Sequence, residues 1–395
     1  MKFALAGYGS RGDIEPFAAV GRELLRRGHD VAMAVTPNMI GFVKSAGLAA
    51  GPFGPNPPQH MDFSHTTRQN PILLMSAFTD QIRQAWVQWG TSLLALADGA
   101  DLVLTGKSEQ GLATNVARHY GIAQAALHFF PVDAVNPNDL LARLAAEAEA
   151  AQRAELGLAE AGGGAACEIQ AYDKLCFPGL AAHWAQQGLR RPFVGSLTLE
   201  LPTDGDAEAL SWIRADTPPI YFGFGSGVRV TSAETVAMIA EACAQLGERA
   251  LICSGPNDFT AVGHFDHVKV VGEVNHAAVF PACRAVVHHG GAGTTAAGLR
   301  AGVPALILTL GVDDQQVWAE TVQRLKVGSS QEFRATTMDS LVAELRRILA
   351  PEYTTRARAI AALLATPGES VSSAADVLEE QARRPGRAAP ASARC

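Results

Sequence analysis

Cysteine is scarce: six in 395 residues, at positions 167, 176, 243, 253, 283 and 395, and none forms a Cys-x-x-Cys pair. A chain of this length needs no disulfide framework, so the sequence reads as reduced thiols in a cytoplasmic protein. Long apolar runs are missing too. The most apolar stretch, Val303–Val312, falls far short of the roughly 18 residues that a membrane span requires. The opening run breaks at Gly7 and meets Arg11 and Asp13, which reads as a buried strand rather than a signal peptide. Positive charge is not in excess: 32 Lys and Arg stand against 39 Asp and Glu, a net charge of −7. That balance argues against a protein built to grip nucleic-acid phosphates, although it permits a local basic pocket. What is present is a chain 48% hydrophobic and 18% charged, able to bury large cores in two or three domains.

Short β-type runs alternate with helical patterns. Strands are predicted at Phe3–Ala6, Val31–Val35, Leu102–Thr105, Ile122–Leu127, Ile220–Phe224, Ala250–Cys253, Val268–Val271, Ala285–His288 and Ala305–Leu308. Several are continuous apolar runs, as expected of strands covered on both faces in a parallel sheet. Helices are predicted between them, the first over Pro16–Arg27 with Pro at its first position and Gly28 past its end. This alternation argues for an α/β chain of doubly wound sheets. It occurs twice, each time from a strand into a glycine-rich turn: Phe3–Gly12, then Tyr221–Gly227. Two Rossmann-like domains facing across a cleft are therefore expected. The predicted boundaries are an N-terminal domain over 1–196, a linker rich in Pro, Asp and Gly over 197–217, a second domain over 218–370, and a C-terminal helix and disordered tail over 371–395.

Gly7-Tyr8-Gly9-Ser10-Arg11-Gly12 fits the dinucleotide pattern G-x-G-x-x-G. The acidic residue that should end the second strand to bind a ribose is replaced there by Thr36-Pro37-Asn38. The turn reads better as a functional loop, with Ser10 and Arg11 offered to an anion. Asp13 is either a general base or a favourable charge at the start of a helix. The strongest signal is His288-His289-Gly290-Gly291-Ala292-Gly293-Thr294-Thr295, where an apolar strand runs into a turn of small residues that opens a helix. Small residues let backbone amides approach an anion, and the helix dipole favours negative charge there. No Walker lysine follows. A metal site is disfavoured because adjacent strand residues point to opposite faces. Gly223-Phe224-Gly225-Ser226-Gly227 offers a second close backbone approach. Asp314-Gln315, after the strand Ala305–Leu308, suits sugar hydroxyls, while Asp313 suits a helix cap. Asp204-Gly205-Asp206 resembles the Asp-x-Asp of metal-dependent sugar transferases, but it lies away from any strand end.

Taken together, Gly9-Ser10-Arg11-Gly12-Asp13-Ile14-Glu15-Pro16, Val286–Thr295 and Asp314-Gln315 resemble the motifs of family 1 glycosyltransferases of GT-B fold. The likeness is to their bacterial natural-product, glycopeptide-antibiotic and sterol branches, over residues 1 to 370. The resemblance implies a UDP- or TDP-sugar held by the second domain and a hydroxyl acceptor held by the first. It implies transfer of a hexosyl or deoxyhexosyl group with inversion, and without a metal or other cofactor. Ser10, Arg11, Ser226, His289, Gly291, Gly293 and Thr294 would line the phosphates, Asp314 and Gln315 would hold the sugar, and Asp13 would be the base. Pro after Asp-Gln is replaced by Gln316, so glucose is not implied. Apolar and aromatic segments at Gly51–Leu96 and His128–Asp139 mark an apolar small-molecule or lipid acceptor, with Trp86, His128, Phe129 and Asp133 as candidate contacts and core packing as the competing reading. A lipid acceptor would bring peripheral membrane contact. A nucleotide-sugar epimerase and a non-catalytic nucleotide-sugar-binding subunit are the alternatives.

Overall fold

A computed structural model describes residues 1–56, 71–134, 139–159, 167–225, 233–255, 264–311 and 313–384. The chain forms two compact units. The first holds Met1–Lys174, Pro178–Leu199 and the chain from Ala365 onward; the second holds Leu175–Phe177 and Glu200–Leu364.

In the first unit the strands are β1 (Lys2–Gly7), β2 (Asp30–Val35), β3 (Ala49–Pro52), β4 (Leu102–Thr105), β5 (Ala123–His128) and β6 (Cys167–Gln170). They form a parallel sheet in the order β3-β2-β1-β4-β5-β6. Its helices are α1 (Arg11–Arg26), α2 (Ile40–Ser45), α3 (Pro71–Ala97), α4 (Gln110–Tyr120), α5 (Asp139–Glu155) and α6 (Leu180–Gln186). Both sheet faces are covered, and β1 shows why its sequence is apolar throughout. Phe3 and Leu5 pack into one core with α1, while Ala4 and Ala6 pack into another with α3 and α4.

The second unit repeats the plan with α7 (Asp206–Arg214), β7 (Ile220–Gly223), α8 (Ala233–Leu246), β8 (Ala250–Cys253), β9 (Val268–Val271), α9 (His276–Val279), β10 (Ala285–His288), α10 (Ala292–Ala301), β11 (Ala305–Thr309), α11 (Asp313–Leu325), β12 (Gly328–Glu332), α12 (Met338–Ile348) and α13 (Pro351–Ala361). Its parallel sheet runs β12-β11-β10-β7-β8-β9. The last helix, α14 (Pro367–Arg383), belongs to the first unit.

Four features differ from the sequence expectation. Three strands not predicted, β3, β6 and β12, are sheet edges whose sequences Ala-Ala-Gly-Pro, Cys-Glu-Ile-Gln and Gly-Ser-Ser-Gln-Glu lack an apolar run. The expected linker 197–217 contains α7, which belongs to the second unit. Asp206 begins that helix and accepts from Thr203 N, Thr203 Oγ1 and Asn275 N, so its carboxylate is spent on tying the helix start to the neighbouring chain. Buried Arg249 ends it, stacking 3.6 Å over Trp212 and donating to the carbonyls of Trp212, Ile213 and Thr217. Next, α14 returns to the first core through Ala374, Ala375 and Leu378. Arg27, which follows α1, reaches Asp376 at 2.6 Å and Glu379 at 3.1 Å. Finally, α1 starts at Arg11 rather than Pro16, because Ser10 and Asp13 cap it five residues earlier. Among the described residues no helix is long and apolar enough to cross a membrane, and none of the five described cysteines forms a disulfide.

Candidate functional site

In a doubly wound sheet, ligands bind outside the carboxyl ends of the strands where the strand order reverses. That point lies between β1 and β4 in the first unit and between β7 and β10 in the second.

At the first unit's switch point, Gly9 has φ +138°, and a Cβ there would lie 2.2 Å from Asp13 Oδ2. The turn therefore requires glycine. The Asp13 carboxylate folds back on the helix start, where Oδ2 accepts from Ser10 N at 2.7 Å and from Ser10 Oγ at 3.0 Å. Asp13 thus lies in the first turn of α1, not in an open turn. Arg11 Nε pairs with Glu15 Oε2 at 3.0 Å, and its guanidinium lies 4.9 Å from the Phe42 ring centre. The other oxygen of Glu15 accepts from Thr198 Oγ1 at 2.7 Å and Leu199 N at 3.0 Å. Burial raises the pKa of Glu15, but Arg11 and these hydrogen bonds outweigh it and hold it below the ordinary range. Ser10 and Arg11, expected at the phosphates, therefore have partners within the first unit.

Sequence reasoning missed Glu109, on the turn between β4 and α4. It is 3% exposed. Burial pushes its carboxyl up to about 8; the Asp13 charge acts the same way, against backbone hydrogen bonds from Glu109 and Gly106. The available signal was an acidic residue just after the strand Leu102–Thr105, at the carboxyl edge of the sheet.

The candidate acceptor contacts fall into two groups. Trp86 is 6% exposed and packs edge-on to Trp89, inside the core shared by β1, α3 and α4. The structure assigns its ring to packing, since the apolar side of α3 is what covers the sheet. Phe129 lies edge-on to Phe17 at 6.1 Å, against the α1 core. His128 and Asp133 join a polar network at the ends of β5 and β6. His128 Nε2 meets Gln110 Oε1 at 3.0 Å, and Gln110 Nε2 donates to Glu168 Oε1 at 2.9 Å. An amide oxygen only accepts, so this pairing assigns the His128 proton to Nε2. Burial pushes the His128 pKa down to about 4, with Lys107 and Arg191 acting the same way, so the ring is neutral at pH 7. Arg191 pairs with both Glu168 and Asp133 and lies 4.8 Å from the Trp184 ring centre. Trp184 Nε1 donates to Asp133 Oδ2 at 2.9 Å.

At the second unit's switch point the chemistry is reversed. β10 ends at His288, fully buried, whose Nδ1 accepts from Gly290 N at 3.1 Å. The next ring, His289, is wedged between two glycines: a Cβ at Gly225 would lie 2.6 Å from its Cε1, and one at Gly291 2.6 Å from its Nε2. Burial pushes its pKa down to about 4, leaving a neutral imidazole whose buried Nδ1 has no hydrogen-bond partner among the described residues. Gly291 then precedes α10 with no side-chain cap. The first amides of that helix, at Ala292, Gly293 and Thr294, have no intrahelical acceptor. Thr295 spends its hydroxyl on Gly291 O at 2.9 Å, while Thr294 is half-buried.

Gly290, with φ +95°, brings this turn against the backbone of Gln315, to which a Cβ would come within 3.1 Å. Gln315 is buried, and its Oε1 accepts from Leu310 N at 2.7 Å. One end of this expected sugar ligand thus secures the β11–α11 turn. Asp314 beside it is half-buried, and Ser226 lies outside the described residues. Among the described residues no group of three or more His, Cys, Asp or Glu gathers to hold a metal.

Two Rossmann-like units with this pair of switch points define the GT-B class. The profile of the erythromycin biosynthesis protein CIII-like C-terminal domain matches residues 255–377, and that of the glycosyltransferase family 28 N-terminal domain matches 3–103. An uncharacterised glycosyltransferase of Mycobacterium leprae is 56% identical over 97% of this chain and 98% of its own. The dTDP-epi-vancosaminyltransferase of Amycolatopsis orientalis is 27% identical over 91% of this chain and 93% of its own. The Streptomyces sp. SF2575 glycosyltransferase SsfS6, complexed with thymidine diphosphate, superposes with a TM-score of 0.66 at 23% identity, covering 95% of this chain and 99% of that one. The chain belongs to the family 1 glycosyltransferases of GT-B fold.

Proposed function

We propose that this glycosyltransferase moves a hexosyl or deoxyhexosyl group from a UDP- or TDP-sugar to a hydroxyl of an apolar small-molecule or lipid acceptor, with inversion and without a metal. The observation that carries the reading is the uncapped start of α10 beside a neutral, half-buried His289. Unpaired amides at a helix N-terminus suit a diphosphate, and an imidazole N–H adds a donor without a second charge to desolvate. Gly291, Gly293 and Thr294 would border the phosphates, and Ser226 is proposed to join them. Asp314 and the amide NH₂ of Gln315 would meet sugar hydroxyls. The thymidine diphosphate bound by SsfS6 supports a pyrimidine nucleotide here.

On the first unit, Asp13 is the proposed base. A carboxylate is too weak to ionise an alcohol in advance, so it takes the proton as the new bond to the anomeric carbon forms. Ser10 is proposed to hold Asp13 in place and Arg11 to hold Glu15, rather than to bind phosphate. Phe129, His128 and Asp133 border the acceptor side; Trp86 supports it from the core. The test is calorimetry of UDP and TDP with EDTA present: binding that His289→Ala weakens is the expected result, and unchanged affinity removes the assignment. Activity lost in EDTA and restored by Mg²⁺ or Mn²⁺ removes the metal-free part.

A further inference from the structure

We propose that Glu109 is a second carboxyl of the proton-accepting site, holding a proton beside Asp13 so that the pair carries one negative charge when the acceptor arrives. This rests on Asp13 being the base. The placement is geometric. β1 and β4 are adjacent and parallel, with Ala6 opposite Thr105, so the turns that follow them leave the sheet side by side at its switch point. Asp13 follows the first turn and Glu109 ends the second. The Glu109 carboxyl lies against Gly106, where a Cβ would come 2.8 Å from Oε2 and 4.0 Å from Phe17 Cζ. Phe17 is one helical turn beyond Asp13 on α1, and its ring also fills the space beside Gly7. A side chain at Gly106 would drive Glu109 out of this corner.

A carboxyl here has little solvent with which to ionise. It is 3% exposed, and a neighbouring anion opposes a second negative charge. The groups around it are Asp13 of α1 and Tyr8 after β1, whose own pKa is raised by burial and then by Glu109. Lys107 lies two residues before it on the same turn, and Glu149 of α5 lies against Gly111, two residues after it. The hydrogen bonds from its own N–H and that of Gly106 are too few to offset burial. Two such carboxyls titrate as a pair rather than singly. In the transfer, the acceptor O–H breaks and its oxygen bonds the anomeric carbon. The carbon–phosphate-oxygen bond breaks with its electrons leaving on the diphosphate, and the proton passes to Asp13. Glu109 touches none of these atoms and acts through Asp13, as a positioning residue.

The test is ¹³C NMR of the free protein labelled at Glu side-chain carboxyls, with Glu109 assigned by its disappearance in Glu109→Gln. The expected result is a Glu109 signal protonated at neutral pH that titrates near 8 and moves to lower pH in Asp13→Asn. A signal titrating with ordinary glutamates, or indifferent to Asp13→Asn, overturns the proposal. If the transferase reading itself fails, the titration result still stands, because it needs no substrate. In turnover, Glu109→Gln keeps the shape and is expected to flatten the pH–rate profile around 8. An unchanged profile with only a lower Tm makes Glu109 structural and also overturns the proposal.

Discussion

The two switch points have the same topology and opposite chemistry. After β1 and β4 stand Asp13 and buried Glu109; after β7 and β10 stand glycines, a neutral His289 and bare helix amides. The two helices at these points, α1 and α10, each follow a strand and a glycine turn, yet only α1 closes its N-terminus with its own side chains. In α1 the Asp13 carboxylate folds back on the helix start and meets Ser10; a helix start without a side-chain cap leaves its amides to whatever anion arrives. On the proposed reading, one fold plan serves a proton acceptor in one copy and a diphosphate in the other, and the two helix starts differ accordingly.

The widest break in that comparison is Asp13→Asn, which keeps the side-chain size but removes the proton acceptor. Positioned base catalysis is worth about 10²–10⁴-fold, so kcat is expected to fall by that factor while calorimetry finds nucleotide affinity nearly unchanged. Near-normal turnover with a lower melting temperature would make the carboxylate a cap and nothing more.

Stability against pH separates the two copies next, and the signs are opposite. The folded pKa of Glu109 is raised from 4.5 to about 8, so its contribution is present below the unfolded value and is lost as pH rises through 8. That of His289 is lowered from 6.5 to about 4, so its contribution is present above 6.5 and is lost as pH falls through 4. Each unit of difference is worth about 1.4 kcal/mol, so each group changes stability by a few kcal/mol across its window. Melting curves of Glu109→Gln should gain on the native chain toward alkaline pH, and those of His289→Asn toward acid. Parallel curves for both variants would show that neither group is held as described.

His289→Ala then probes the second copy alone. A hydrogen bond to a charged group is worth about 1.5–3 kcal/mol, so the Kd for UDP or TDP is expected to rise roughly 10- to 100-fold, with the fold retained. Residual affinity above that range would mean that the α10 amides carry nearly all of the phosphate binding.

How far all this was legible depends on whether a residue's neighbours lie close in sequence. The glycine turns, the apolar strands and the small-residue turn that opens α10 are local patterns, and the sequence shows each of them. Trp86 looked like a ligand contact because an aromatic on an amphipathic helix gives no sign of which side faces the sheet; it is in the core. Gln315 gave no hint that it secures Leu310, nor α14 that it returns to α1 through Arg27. Glu109 shows no local sign, because what raises its pKa is burial and the charge of Asp13, 96 residues away in the chain.

The smallest effect, in Ser10→Ala, is also the most discriminating. The motif resemblance assigns Ser10 to the donor phosphates, whereas its hydroxyl donates to Asp13 Oδ2 at 3.0 Å and its amide does so at 2.7 Å. Alanine keeps the amide contact and removes only the hydroxyl. If Ser10 serves the cap, about 1 kcal/mol of stability is lost, in the range of N-cap truncations, and nucleotide affinity stays where it was. Turnover should fall a little, because the Asp13 carboxylate loses one of the two contacts that fix its direction. If Ser10 serves the phosphates, the pattern inverts: calorimetry shows weaker nucleotide binding while the melting temperature barely moves. The two outcomes fall on different instruments, so even a change this small decides whether the capped helix start of the first unit shares in anion binding or leaves it to the bare one of the second.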